Sequence, residues 1–233
     1  EVLQKCHIDR VSHFTDFRHF EEYADMGRAR LNLVVRPEGL LAAQTWQKDI
    51  DFCFVPVSYD LEEIANQYAA IFQKLGTTVD LAQYRYRAEA EIKATLAHVG
   101  DRPIAVGSSA VCRPFNLAQA LMRYGFRVSD VFYESCPAFE KDAKAALEAL
   151  GTVVFHNVHM PDCVENIGRM GSANIAIGYS AGYYTGSASA VNLMIDEGMF
   201  GYGGVCRMMK LLREAVDNPT AVETMIERYG LIV

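Results

Sequence analysis

The stretch Ile104-Ala-Val-Gly-Ser-Ser-Ala-Val-Cys-Arg-Pro-Phe-Asn-Leu-Ala-Gln-Ala-Leu-Met-Arg-Tyr-Gly-Phe126 decides the fold. It reads as a buried strand, a loop of small residues and a helix. Ile104, Ala105 and Val106 make the apolar run, and Gly107, Ser108 and Ser109 make the turn. Pro114 suits the first turn of a helix, where a missing N–H costs nothing. Leu117, Ala118, Leu121 and Met122 then recur at helical spacing, and Gly125 stops the helix before the next strand. Arg113 therefore stands at a helix entrance, at the carboxyl end of a strand. In open parallel α/β sheets that edge faces the ligand crevice.

The same grammar repeats outward. Strand-like runs fall at Ile8–Phe14, Leu31–Arg36, Phe52–Val57, Pro103–Gly107, Val128–Tyr133, Val153–Asn157 and Asn174–Ile177, with a weaker one at Ala190–Ile195. Helical patterns separate them at Asp16–Met26, Glu38–Lys48, Leu61–Leu75, Leu81–Val99, Phe115–Tyr124, Phe139–Leu150, Asp162–Met170 and Ser180–Thr185. Strict alternation predicts α/β architecture with parallel sheets covered by helices. Two consecutive helices, 61–75 and 81–99, suggest two lobes with a helical connector, and Asp80 is placed to cap the second. The expected division is a partial domain over 1–75, a connecting helix over 76–100, a second domain over 101–200 and C-terminal helices over 201–233.

Composition excludes several function classes. The chain has 233 residues, 51% hydrophobic and 22% charged, which suits a core-forming protein rather than a disordered one. A formal charge of −7 argues against a general nucleic-acid binder. No run approaches the ~18 apolar residues of a membrane helix, so no membrane partner is expected. Six cysteines, at 6, 53, 112, 136, 163 and 206, form no CxxC and no Cys/His cluster at metal-ligand spacing. With no secretory leader, they read as reduced and the chain as cytoplasmic. The opening Glu1-Val-Leu-Gln-Lys lacks an initiator Met and reads as part of a longer protein.

Candidate site residues cluster on loops after strands. Ser108, Ser109 and Arg113 follow one strand, Glu134 and Cys136 a second, and Tyr179 and Ser180, within Gly178-Tyr-Ser-Ala-Gly-Tyr-Tyr-Thr-Gly186, a third. Together they would line one polar crevice, although a Gly-permitted packing turn explains the third loop equally well. Glu134 reads either as a proton donor or as a solvated carboxylate. Arg113 would hold an anionic group or pair with Glu134. Cys112, beside it, is either a small core residue or a reactive thiol. His156 and His159 have an HxxH spacing but no third ligand in view. Gly201-Tyr-Gly-Gly204 matches neither GxGxxG after a strand nor GxxxxGK[ST], and a close-packing turn explains its glycines better than a phosphate loop.

Arg30-Leu-Asn-Leu-Val-Val35, Phe54-Val-Pro-Val-Ser-Tyr-Asp-Leu-Glu-Glu-Ile64, Asp101-Arg-Pro-Ile-Ala-Val106, Cys112-Arg-Pro-Phe115 and Gly201-Tyr-Gly-Gly-Val205 come in an order and spacing that resembles the nitrogenase component 1 family. That family includes molybdenum-iron protein subunits, cofactor-assembly scaffolds and dark-operative protochlorophyllide reductases. The resemblance implies Rossmann-like lobes, here most of the middle and the third of three such domains. It implies work as a homo- or hetero-oligomer with a homologous subunit and an ATP-dependent iron-sulfur reductase. The cysteines that bind the family's bridging iron-sulfur cluster lie in its N-terminal domain, outside this sequence, so no cofactor is expected in this segment, while a cluster is expected only in a longer protein. The molybdenum cofactor's Cys ligand is matched here by Arg36, followed by Pro37, and its His ligand by Val191-Asn-Leu-Met-Ile195, which has no His. Arg113 is the cofactor contact that the resemblance carries over. These departures point away from dinitrogen reduction, toward another substrate or an assembly scaffold. A non-redox metal-chelate-binding module and a non-catalytic companion subunit remain as alternatives.

Overall fold

In the computed structural model, residues 2–6, 8, 10–46 and 50–229 are described. They divide into two compact units, one of 1–57 and 62–82 and the other of 58–61 and 83–233.

In the first unit, the short helices α1 (Val2–Lys5) and α2 (Phe20–Asp25) precede strand β1 (Asn32–Val34), helix α3 (Leu40–Trp46), strand β2 (Phe52–Phe54) and helix α4 (Leu61–Leu75). β1 and β2 pair in parallel, Asn32 opposite Phe52, and the ladder continues through Val55 N–H to Val34 O (2.9 Å). α4 buries Ile64, Tyr68, Ile71, Phe72 and Leu75, a stripe at helical spacing. Gly76 at φ +64° ends it, and Arg30 Nη2 donates to Leu75 O at 2.8 Å, satisfying an open carbonyl of the last turn. The strand expected at Ile8–Phe14 does not form among the described residues. His13 instead caps a 3-10 turn over Phe14–Asp16, and helix α2 occupies only Phe20–Asp25 of the expected Asp16–Met26. Lys48, the expected end of α3, lies outside the described residues.

The second unit alternates helix and strand: α5 (Ala82–Val99), β3 (Ile104–Gly107), α6 (Pro114–Arg123), β4 (Val128–Tyr133), α7 (Lys141–Leu150), β5 (Val154–Asn157), α8 (Pro161–Glu165), β6 (Ile175–Ile177), α9 (Tyr179–Thr185), β7 (Ser189–Val191), α10 (Gly201–Asp217) and α11 (Val222–Tyr229). Its five strands are all parallel, in the order β5-β4-β3-β6-β7. Asp80 caps α5 as expected, its Oδ1 accepting Ala82 N–H at 2.8 Å. The two faces of the sheet differ in side-chain size. Ala105, Ala176 and Ala190 share a cluster with Ala181 of α9 and with Val222 and Met225 of α11. By strand alternation, Ile104, Val106, Ile175 and Ile177 lie on the other face, all buried. Small residues let α9 and α11 approach closely: a Cβ at Gly182 would overlap Val222.

The helix expected at Asp162–Met170 stops at Glu165. Asn166 turns its amide back onto Asp162 O (3.0 Å) and Oδ1 (2.8 Å), and Gly168 adopts φ +73°. Among the described residues no helix is long and apolar enough to cross a membrane. Between α4 and α5 the link Gly76–Asp80 is partly exposed. Brief digestion with a protease of broad specificity is expected to cut this link of the first unit first; a first cut inside α4, α5 or the five-stranded unit would mean that the link is protected.

Candidate functional site

The order β5-β4-β3-β6-β7 means that the chain runs from β3 to one side of the sheet, then returns to place β6 on the other. Loops after β3 and β6 thus diverge at a topological switch point, where open α/β sheets bind ligands. Here the two loops are tied together. Ser180 N–H donates to Ser109 Oγ at 2.8 Å, Ser109 N–H donates to Ser180 Oγ at 3.3 Å, and the two hydroxyls are 3.0 Å apart. Two glycines make room for this: a Cβ at Gly107 would fall on Ser180 Oγ and 2.7 Å from Ala181 N, and one at Gly178 would lie 2.5 Å from Ala110 Cβ. The notch between β3 and β6 is therefore filled by protein, and the accessible groups lie on the β3 and β4 side. There Ser108 Oγ approaches Glu134 Oε1 at 3.5 Å, and Glu134 is exposed. Tyr179 OH donates to Asn192 Oδ1 at 3.1 Å.

Arg113 is the N-cap residue of α6 and is 6% exposed. Of the two readings, an anionic group or a carboxylate partner, the structure shows a carboxylate, that of Glu140, whose Oε1 lies 3.4 Å from Arg113 Nε, and the guanidinium sits over the Phe139 ring at 5.8 Å. Glu140 is fully buried in a 3-10 turn, Ala138–Glu140, ahead of α7. Its carboxyl accepts Phe115 N–H at 3.1 Å and Asn116 N–H at 3.2 Å, two of the amides that the start of a helix leaves without an intrahelical acceptor. Burial pushes Glu140 up to about 7, against the opposing pull of Arg113 and the two amides.

The loop before Arg113 has a second anchor that the sequence reading missed. Asp196 Oδ2 accepts Cys112 N–H at 2.7 Å, and its Oδ1 accepts Tyr59 OH at 2.7 Å. Burial first, and the Asp196 carboxylate next, push the Tyr59 phenol well above its ordinary range, so it stays a donor. Tyr59 lies in the segment Ser58–Leu61. That segment is fastened further by Ser58 Oγ to Asn116 Oδ1 (3.1 Å), by Tyr124 OH to Tyr59 O (2.7 Å) and by an Asp60–Arg123 ion pair. The Asp-Glu-Gly sequence at 196–198 was the available cue, since it signals a turn.

His156 and His159 do not converge. His156 Nε2 bonds Asp130 Oδ1 at 2.9 Å and its ring stacks on Phe132, whereas His159 is exposed. Burial alone would raise Asp130, but hydrogen bonds from His156, Ser129 and Ser172 hold it below the usual carboxylate range. The glycines of Gly201–Gly204 lie inside α10, and a Cβ at Gly204 would be 3.2 Å from the Met199 backbone, which fits the close-packing reading.

All six cysteines are free. Among the described residues no group of three or more His, Cys, Asp or Glu side chains could hold a metal ion. Burial pushes the thiols of Cys6, Cys53, Cys136, Cys163 and Cys206 up.

A family model described as nitrogenase component 1 type oxidoreductase matches residues 1–217. Comparison with curated proteins gives no match. Among solved structures, nitrogenase Cp1 at pH 6.5 aligns with a TM-score of 0.54 and 14% identity, over 95% of this chain and 53% of that one. The chain thus spans about half the length of that protein, and at this identity the likeness is one of fold. Aspartate transcarbamoylase from Trypanosoma cruzi, in complex with phosphate, aligns at 12% identity over 91% of this chain and 71% of that one, with a TM-score of 0.26 that supports no conclusion. Parallel α/β units, a nitrogenase-like fold and a family match over nearly the whole length agree: the chain belongs to the nitrogenase component 1 type oxidoreductase family.

Proposed function

We propose that this chain is the second half of a component 1-like subunit that accepts electrons from an ATP-dependent iron-sulfur reductase and delivers them to a substrate other than dinitrogen. The observation that carries this is the donor set. Arg36 stands exposed just past β1, and the stretch Val191–Ile195 leaving β7 holds no histidine, so the two positions matched to the molybdenum cofactor's ligands offer neither thiolate nor imidazole. The substrate's place in this reading is the carboxyl edge of the five-stranded sheet. Ser108 and Glu134 line its open side, the Ser109–Ser180 pair and Tyr179 lie beside them, and Arg113, the N-cap of α6 held against Glu140, is the cation this reading assigns to an anionic group. Any iron-sulfur cluster would be held by the remainder of a longer subunit and by a homologous partner subunit.

Arg113→Ala in the full-length protein is the test. Loss of one charge-assisted contact is worth about 1.5–3 kcal/mol, so retention of a co-purified anionic small molecule or metal cofactor should fall ten- to a hundredfold. Mass spectrometry and metal analysis after anaerobic purification, with circular dichroism to confirm folding, read the outcome. Unchanged retention removes Arg113 from the site. Cofactor release to an acceptor protein without ATP-driven substrate reduction would replace the enzyme reading by an assembly scaffold.

A further inference from the structure

Ile195 and Asp196 are consecutive residues with left-handed backbone, φ +45° and +56°, although neither is glycine. For a β-branched residue such as Ile195 this is an outlier that persists only where its surroundings impose it. The surroundings here are the loop from Ser108 to Arg113. Ile195 N–H donates to Ser109 O at 2.9 Å and Asp196 N–H to Ala110 O at 2.8 Å, while Asp196 Oδ2 receives Cys112 N–H at 2.7 Å. One two-residue turn thus holds three successive points of the loop that ends in Arg113. Asp196 is 6% exposed and Tyr59, which binds its other oxygen, 2%.

We propose that Asp196 is a positioning residue: its carboxylate, oriented by the Tyr59 hydroxyl, fixes the loop between β3 and α6 and thereby the direction in which Arg113 is presented. The functional weight of that direction rests on the reading of the carboxyl edge as the substrate site. The clamp itself does not. The left-handed pair brings the Asp196 carboxylate and both backbone amides to the loop together.

The full-length protein carries the test, with phenylglyoxal as an arginine-specific probe and peptide mass spectrometry as the readout. Asp196→Gly keeps the left-handed backbone, which glycine accepts freely, and removes only the carboxylate. Arg113 modification and amide exchange at Cys112 should both accelerate by about tenfold or more, the change expected from losing one charge-assisted hydrogen bond. Modification of Arg102 and exchange in β4 should stay as in wild type, which a general loss of structure would not allow. Tyr59→Phe, which spares the bond to Cys112, should give a smaller acceleration of the same two signals, and it serves should the glycine variant fail to fold. Wild-type rates at both Arg113 and Cys112 in a folded variant overturn the proposal. Because no substrate is added, a failed retention result for Arg113→Ala leaves this measurement readable, and the converse also holds.

Discussion

Glu140→Ala is expected to destabilise the five-stranded unit by about 3–5 kcal/mol in mildly acid solution, because two buried amides lose their acceptor and Arg113 loses the carboxyl facing it. Phe115 and Asn116 give their N–H groups to this one side chain, which is fully buried. The cost should depend on pH in a definite direction. Glu140 titrates at about 7 when folded, above its ordinary value of 4.5. The native state therefore binds this proton more tightly than the unfolded chain. Its stabilising effect is fully present below 4.5 and is lost as pH rises through about 7, a swing of about 3 kcal/mol at ~1.4 kcal/mol per pH unit. The alanine variant lacks the swing, so its deficit should narrow as pH rises. Glu140→Gln, which keeps an acceptor oxygen, should flatten the profile at a smaller cost. Urea unfolding from pH 4.5 to 8 measures all three proteins; parallel profiles for wild type and Glu140→Gln would show that Glu140 does not titrate in this range.

Gly178→Ala is expected to be equally severe, for a steric reason. Gly178 has φ +89° and ψ +165°, a region of backbone space open essentially to glycine alone. An added methyl group would also stand 2.5 Å from Ala110 Cβ and 2.9 Å from Ala110 N, so the loops after β3 and β6 would have to part and give up the Ser109–Ser180 bonds. Backbone strain of about 1–3 kcal/mol and the lost contacts together give about 4 kcal/mol or more. Gly203→Ala is the control of opposite sign. It sits in α10 with nothing within 4 Å of the added methyl, and exchanging glycine for alanine inside a helix gains about 0.5–1 kcal/mol. Denaturation midpoints that fall for both variants alike would mean that glycine's role at position 178 is not conformational.

Local pattern carried most of the architecture. α4 and β4 form over the expected residues, and the strand–loop–helix at 104–126 puts Ser108, Ser109 and Arg113 at the carboxyl edge of the sheet, as its sequence implies. The failures are local too. The strand-like run at 8–14, whose apolar residues Ile8, Val11 and Phe14 are three apart rather than alternate, gives way to a histidine-capped turn, and an apolar helical pattern at 162–170 loses to Asn166 and Gly168. The site was only half legible, because its anchors come from far along the chain: Glu140 is 25 residues from Phe115, and Tyr59 is 137 from Asp196. Hydrophobic periodicity contains no record of such polar pairs. Arg113 was correctly placed at the helix entrance, while the carboxylate opposite it belongs to a turn that read only as the beginning of another helix.

The short segment Ser58–Leu61 gives the second unit a discontinuous gene. Four of its residues are encoded ahead of 62–82, so no single cut or crossover separates the two units cleanly. A polypeptide begun at Gln83 would lack Tyr59 and uncover the Asp196 carboxylate, and it would remove the Asp60 partner of Arg123 as well. Recombination between relatives would meet the same restriction: an exchanged second unit would have to travel with its own version of this tetrapeptide, or find a compatible one already in place.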